Sequence, residues 1–191
     1  MVTQTNSSFS KKAGSTYLER WTGKGAQVGN GAALQVVESL DMGVYQLVAG
    51  AQNIQQDSPS ASQSGAWIVA NDARIAVDKT KEYTLTFTNI ESVVTLGFKA
   101  VGATGNWLAV DNFRLYYVGS SDEAYKAELQ RYIELAQEVA GAKMHTASLQ
   151  VLTACIEAAQ AELTKETTEG YVEVSTPLRE ATASAQVSIA A

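Results

Sequence analysis

The stretch GNWLAVDNFRLYYVG, Gly105 to Gly119, decides how the chain is read. It alternates as a half-buried strand does. Ala109, Asp111, Phe113, Leu115 and Tyr117 fall on one face, with Leu108, Val110, Asn112, Arg114 and Tyr116 on the other. It is aromatic at both ends and carries an acid, Asp111, at its middle. The next residues, SSDEAYKAELQRYIELAQEVA, switch to a helical period. A strand that closes one unit and runs straight into a helix of another marks a boundary. The expected domains are therefore 1–119 and 120–191.

Working back from that strand, the first half reads as short strands separated by turns. TYLERWT (16–22), AALQVVESL (32–40), VYQLVAGAQN (44–53), AWIVAN (66–71), RIAVD (74–78), YTLTFTN (83–89) and VVTLGFKA (93–100) are the candidates. YTLTFTN alternates cleanly, with Tyr83, Leu85 and Phe87 inward and the threonines outward. Residues 1–15 are polar and read as a loose lead-in. GKGAQVGNG (23–31) and IQQDSPSASQSG (54–65) read as loops. The glycines of the first loop do not lead from a strand into a helix at phosphate-loop spacing. Eight short strands without a helix among them predict an antiparallel sandwich of jelly-roll type.

The second half is helical throughout. Tyr125, Leu129, Tyr132, Ile133, Ala136 and Val139 recur at three and four residues, with Ser121 as a start and Gly141 as a stop. Leu149, Leu152, Ile156, Ala159 and Leu163 form a second stripe. Tyr171, Val174, Leu178, Ala181, Ala185 and Ser188 form a third. Pro177 is expected to start or kink the last helix, capped by Ser175 or Thr176. The prediction is an all-α three-helix bundle with short connections.

Charge and composition exclude several functions. The net charge is −6, and residues 1–119 hold nine Lys and Arg against nine Asp and Glu. Residues 120–191 hold five against eleven, so the whole excess sits there. No basic patch suits a phosphate backbone, so nucleic acid is not an expected partner. One cysteine, Cys155, allows no internal disulfide and no zinc spacing; it reads as a partly buried helix residue. No apolar run is long enough to span a bilayer. The polar start, MVTQTNSSFSKK, is not a signal peptide. The chain is expected to be either cytosolic or a segment of a longer exported protein.

The order YLERWT, LQVVESLDMGVYQLVAGAQ, SGAWIVAN, VVTLGFKA, GNWLAVDNFRLYYVG resembles the galactose-binding-like jelly-roll modules of secreted, multi-modular glycan-degrading proteins of gut bacteria. Two fragments carry the resemblance: Q-x-x-x-x-L-x-x-G-x-Y-x-L (Gln35 to Leu47) and the terminal W-x-x-V-D-N-F-x-L-x-Y. It covers about 100 residues, from 16 to 119. It implies a non-catalytic carbohydrate-binding module, an extracellular or cell-surface setting, and neighbouring domains in a longer chain. In related modules the acid of the last strand often ligates a structural calcium ion, and Asp111 occupies that place. The helical half is similar in outline to small helical modules beside such domains, and departs from them at Pro177.

The residues themselves support no catalytic set. Hydrolysis needs paired carboxylates or a nucleophile with its base. Here the acids stand singly at turns apart from Glu19 and Asp111. The one histidine, His145, opens the second helix as a surface or capping residue. Binding is a different matter, because an aromatic plane stacks on the C–H face of a sugar while amides select its hydroxyls. Loops 23–31, 54–65 and 101–107 are expected to converge at one rim, bringing Trp21, Gln63, Asn106 and Trp107 to a neutral glycan. Trp67 alternates with Val69 and is expected in the core. Asp111 is expected to be buried, either ligating calcium, with Glu19 as a suggested second ligand, or accepting backbone N–H bonds. A spacer that keeps the fold without binding sugar is the alternative.

Overall fold

The computed structural model describes residues 1–190. Its elements run β1 (Val2–Gln4), β2 (Tyr17–Trp21), β3 (Gly29–Glu38), β4 (Gly43–Ile54), β5 (Ala66–Ala70), β6 (Ala73–Ala76), β7 (Lys81–Asn89), β8 (Val93–Ala103) and β9 (Trp107–Gly119). Three helices follow: α1 (Asp122–Ala140), α2 (Thr146–Leu163) and α3 (Tyr171–Ala190). The strands form a five-stranded sheet, β1-β2-β9-β4-β7, and a four-stranded sheet, β3-β8-β5-β6. The fold is an antiparallel β-sandwich followed by a three-helix bundle.

Alternation supplies the sandwich core. Ala66, Ile68 and Ala70 of β5 stand opposite Ala100, Phe98 and Leu96 of β8, and all six are buried. Each large apolar side chain withdrawn from water in this way contributes about 1.5–3 kcal/mol. The residues between them face the other way. Trp67 pairs with Lys99 and Ala76 across its two neighbours and is only partly buried. The expectation that Trp67 belongs to the core is thus corrected: it lies on the outer face of the four-stranded sheet, with the Arg74 guanidinium 5.1 Å from its ring centroid.

β9 departs from simple alternation. Asn112 takes a left-handed conformation (φ 57°), which Asn tolerates better than other side chains, and the faces exchange across it. Leu108 and Val110 are buried inward. Beyond Asn112, Phe113 and Leu115 line a groove together with Leu18, Leu47 and Leu96, and Tyr117 meets the buried Tyr45 at 5.5 Å. The single face expected from Ala109 to Tyr117 is therefore two half-faces, divided by one residue.

The polar lead-in is ordered. Residues 2–4 add β1 to the sheet edge, in register Val2↔Glu19 to Gln4↔Tyr17. The following segment lies over the outer face of the five-stranded sheet as a strap. Phe9 is buried with Tyr17 and Ala109, and Trp107 packs against them. The Lys11 backbone lies so close to Gly50 that a side chain there would collide with it.

The chain divides into two compact units, Met1–Val37, Tyr45–Phe87 and Val94–Tyr117 against Glu38–Val44, Thr88–Val93 and Val118–Ala191. The second unit thus takes in two strand-connecting turns besides the region from 120 onward. Ile90 sits in its apolar core with Leu129, Ile133, Leu152 and Leu178. Asn89 Nδ2 ties the turns together through the carbonyls of Leu40 (3.2 Å), Asp41 (3.0 Å) and Glu91 (2.7 Å). The Glu91 carboxylate is buried and accepts from Tyr132 Oη (2.8 Å) and Arg179 Nη1 (2.7 Å).

Helix termini follow local chemistry. Ser121 caps α1, its hydroxyl accepting from the Ala124 N–H at 3.2 Å, a contact of about 1 kcal/mol. His145 precedes α2 and makes no side-chain cap bond. α3 runs through Pro177 from Tyr171, so the helix neither starts nor is capped at Ser175 or Thr176. The buried stripe Tyr171, Ser175, Leu178, Ala181, Ala185 is continuous across the proline, and its packing outweighs one lost backbone bond. Pro177 and Glu173, whose carbonyl loses its donor, are both exposed, and Ser175 Oγ donates to the Tyr171 carbonyl at 2.6 Å.

Candidate functional site

The rim of the sandwich at the end of β2 and the start of β9 is held by side-chain amides. Asn53, fully buried at the end of β4, donates through Nδ2 to the carbonyls of Ser64 (3.0 Å) and Val77 (3.1 Å). Its Oδ1 accepts the Gly105 N–H at 3.1 Å. A Cβ on Gly105 would overlap that oxygen, so the close approach needs glycine. Gln55 Nε2 donates to the carbonyls of Ala26 (2.9 Å) and Thr104 (2.8 Å). The Val28 N–H reaches the Gly105 carbonyl at 2.8 Å. Segments 23–31, 54–65 and 101–107, expected as loops but running into β3, β4 and β8 at residues 29–31, 54 and 101–103, are thereby joined to one another by hydrogen bonds, and a Lys24–Asp57 ion pair of 2.9 Å spans two of them on the surface.

The expected contact residues divide between surface and interior. Trp21 is 63 % exposed. It stands directly opposite Trp107 in the β2–β9 register, on the same outer face, where cross-strand Cβ atoms lie about 4.5–5.5 Å apart. Trp107 is partly buried against the strap, and its indole N–H donates to Glu19 Oε2 at 2.9 Å. One tryptophan is thus an exposed ring, while the other is held by the strap cluster and Glu19.

The two amides are engaged within the protein. Asn106 is fully buried. Its Nδ2 donates to the Thr22 carbonyl (3.2 Å) and Gln56 Oε1 (3.0 Å), while Oδ1 accepts the Gln56 N–H (2.8 Å). It holds the rim rather than facing outward. Gln63, partly buried, accepts from Thr104 Oγ1 at 2.9 Å and donates to the Ala61 carbonyl at 3.2 Å. Sequence reasoning missed Asn53, Gln55 and Gln56. Their signal was the amide run Gln52-Asn53-Ile54-Gln55-Gln56 closing an apolar strand, since amides at such a place can satisfy loop backbone.

Asp111 is partly buried rather than buried, and its Oδ2 accepts the Ala13 N–H of the strap at 2.7 Å. The residues around it do not fit a calcium ion. Calcium takes six to eight oxygen ligands, and among the described residues no three His, Cys, Asp or Glu side chains converge as a metal site. Glu19, the suggested second ligand, is buried and already accepts from Gln4 Nε2 (3.0 Å), Tyr17 Oη (3.2 Å) and Trp107 Nε1. Donor hydrogens point at both carboxylates, where a cation would have to sit. Burial and the neighbouring Glu19 charge together push the Tyr17 phenol above its ordinary pKa, so it remains a donor.

A separate groove of about 440 Å³ lies within the sandwich, lined by Leu18, Leu47, Leu96, Phe113 and Leu115 among others. None of the expected contact residues lines it. A stacking site is a plane rather than a cavity, so volume does not decide between the two places. Among the described residues, no helix is long and apolar enough to cross a membrane.

No protein-family model and no curated protein matches the chain. Several solved structures are similar to it. A family 61 carbohydrate-binding module in complex with β-1,4-galactotriose is 17 % identical with a TM-score of 0.41, covering 60 % of this chain and 80 % of that one. A family 35 carbohydrate-binding module from an environmental isolate is 13 % identical with a TM-score of 0.40, covering 61 % and 83 %. The C-terminal domain of EclA, a sugar-binding protein, is 13 % identical with a TM-score of 0.40, covering 59 % and 89 %.

Proposed function

We propose that the chain is a non-catalytic carbohydrate-binding module of a longer exported glycan-processing protein, taking a neutral glycan at the amide-held rim. One observation carries this: Trp21 presents an exposed indole on a rim fixed by buried amides. A large apolar ring held out in water on a rigid support has no role in packing the sandwich, and a pyranose ring is a flat partner for it. The balanced charge of residues 1–119 suits an uncharged sugar. A shallow plane buries little area, so the affinity lies on the order of micromolar to millimolar.

The inward engagement of Asn106 and Trp107 favours a second reading, a structural or protein-interaction spacer with the same fold. A glycan-array screen of the chain, followed by calorimetric titration of the best ligand, separates them. Trp21→Ala is expected to weaken binding at least tenfold with an unchanged melting temperature. Equal binding by the variant would remove Trp21 from the site, and a wild-type chain that retains no glycan leaves the spacer reading.

A further inference from the structure

On the outer face of the four-stranded sheet, Trp67, Arg74 and Lys99 stand together for a reason the rim does not use. Lys99 is the direct cross-strand partner of Trp67 on β8. Arg74 comes from the opposite side, on β6, and its guanidinium lies over the indole at 5.1 Å from the ring centroid. The strand register also places Val69, Ala76 and Gly97 on this face, so its middle contains two cations and no acid. The outer face of the five-stranded sheet is different, with Glu19, Glu82 and Asp111 among its residues. Both Arg74 and Lys99 are exposed, and neither makes an ion pair among the described residues.

Resting on the carbohydrate-binding reading, we infer that Arg74 and Lys99, set on either side of Trp67, form a second site that takes an oxyanion, carboxylate or sulfate, carried on an acidic polysaccharide. The physical argument is preorganisation. An arginine in water loses side-chain freedom when it binds an anion, but stacking on an indole has already restricted Arg74. Its planar donors stay available because no protein carboxylate occupies them. β8, β5 and β6 are adjacent and Arg74 lies two residues along β6 from Ala76, which is level with Lys99, so the α-carbons of Lys99 and Arg74 are roughly 12 Å apart, and two long side chains can close on one anionic group. The net charge of −6 repels polyanions in general, so retention by one requires a local site and weakens steeply with salt.

The test uses the whole chain in affinity electrophoresis on polygalacturonate, which supplies carboxylates, and dextran sulfate, which supplies sulfates. The wild-type chain should be retarded by at least one of them at low salt, and which one identifies the anion. The double variant R74Q/K99Q, altered only at exposed positions, should lose at least tenfold in affinity while keeping its melting temperature. Trp21→Ala should leave this retention unchanged, whereas it removes binding of a neutral glycan. No retention of the wild type on either polymer, or equal retention of R74Q/K99Q, overturns the inference without touching the rim. Loss of only the neutral-glycan response does the reverse.

Discussion

At the scale of single residues, burial separates positions that hold the rim together from those that face water. Asn106 satisfies two loops with one amide, so Asn106→Ala should cost about 2–4 kcal/mol by stranding the Gln56 N–H and the Thr22 carbonyl. Chemical denaturation measures this, and a loss below about 0.5 kcal/mol would mean that water replaces the amide. Asp111 ties the strap through one N–H, and among the described residues no set of His, Cys, Asp or Glu side chains gathers there as a metal site. Adding a chelator should therefore leave the melting temperature unchanged, and a clear drop would reinstate a metal. Tyr83 Oη accepts the N–H groups of Asp78 and Lys79 and donates to the Lys79 carbonyl or Asp78 Oδ1. Burial pushes its pKa up to about 12. A raised phenol pKa stabilises the fold in full below about pH 10, and that contribution is lost between about pH 10 and 12 as the unfolded chain ionises first. Unfolding midpoints across that window should fall, and fall less in Tyr83→Phe; a variant with the wild-type slope would exclude Tyr83 as the cause.

At the scale of elements, packing overrides local preference twice. In α3 the buried stripe keeps the helix continuous through Pro177, at the expense of one backbone bond. Pro177→Ala restores a donor for the Glu173 carbonyl, so it should raise stability by about 1–3 kcal/mol. Thermal unfolding of the variant checks this, and an unchanged or lower midpoint would mean that the ring itself packs usefully beside α2. In β9, one left-handed residue reverses the faces, and the strand thereby serves the strap at one end and the inner groove at the other. Period-two alternation was legible over each half of β9, but the exchange at Asn112 was not, because a change of φ at one residue leaves the residue types on both sides unaltered.

At the scale of the whole molecule, the second compact unit is not a contiguous piece of chain. Glu91 is buried beneath Tyr132 and Arg179, and burial together with the Glu91 charge holds the Tyr132 phenol far above its ordinary pKa. Removing the carboxylate takes away the buried acceptor that the Tyr132 phenol and the Arg179 guanidinium share. Glu91→Ala in the full chain should therefore cost about 2–4 kcal/mol. A fragment of residues 120–191 lacks both Glu91 and Ile90, and should show no cooperative thermal transition by circular dichroism. A sharp transition matching that of the full chain would mean that the turns 38–44 and 88–93 contribute little.

The sequence by itself determined the kinds of element and their order. Alternation and helical spacing are local properties, and they separate the strands before Gly119 from the helices after it. It also marked the three segments that meet at the rim and Trp21 at the end of β2 beside the first of them, because glycine, polar runs and a tryptophan at a strand end are visible without coordinates. Only the tertiary structure decided which face of each strand is covered and by what. Trp67 faces outward, Trp107 is held by the strap cluster and Glu19, Asn106 turns inward, and the polar lead-in becomes a strap around Phe9. Alternation says that two faces differ, but which one is buried depends on segments distant in sequence, and those contacts form only when the whole chain is in place.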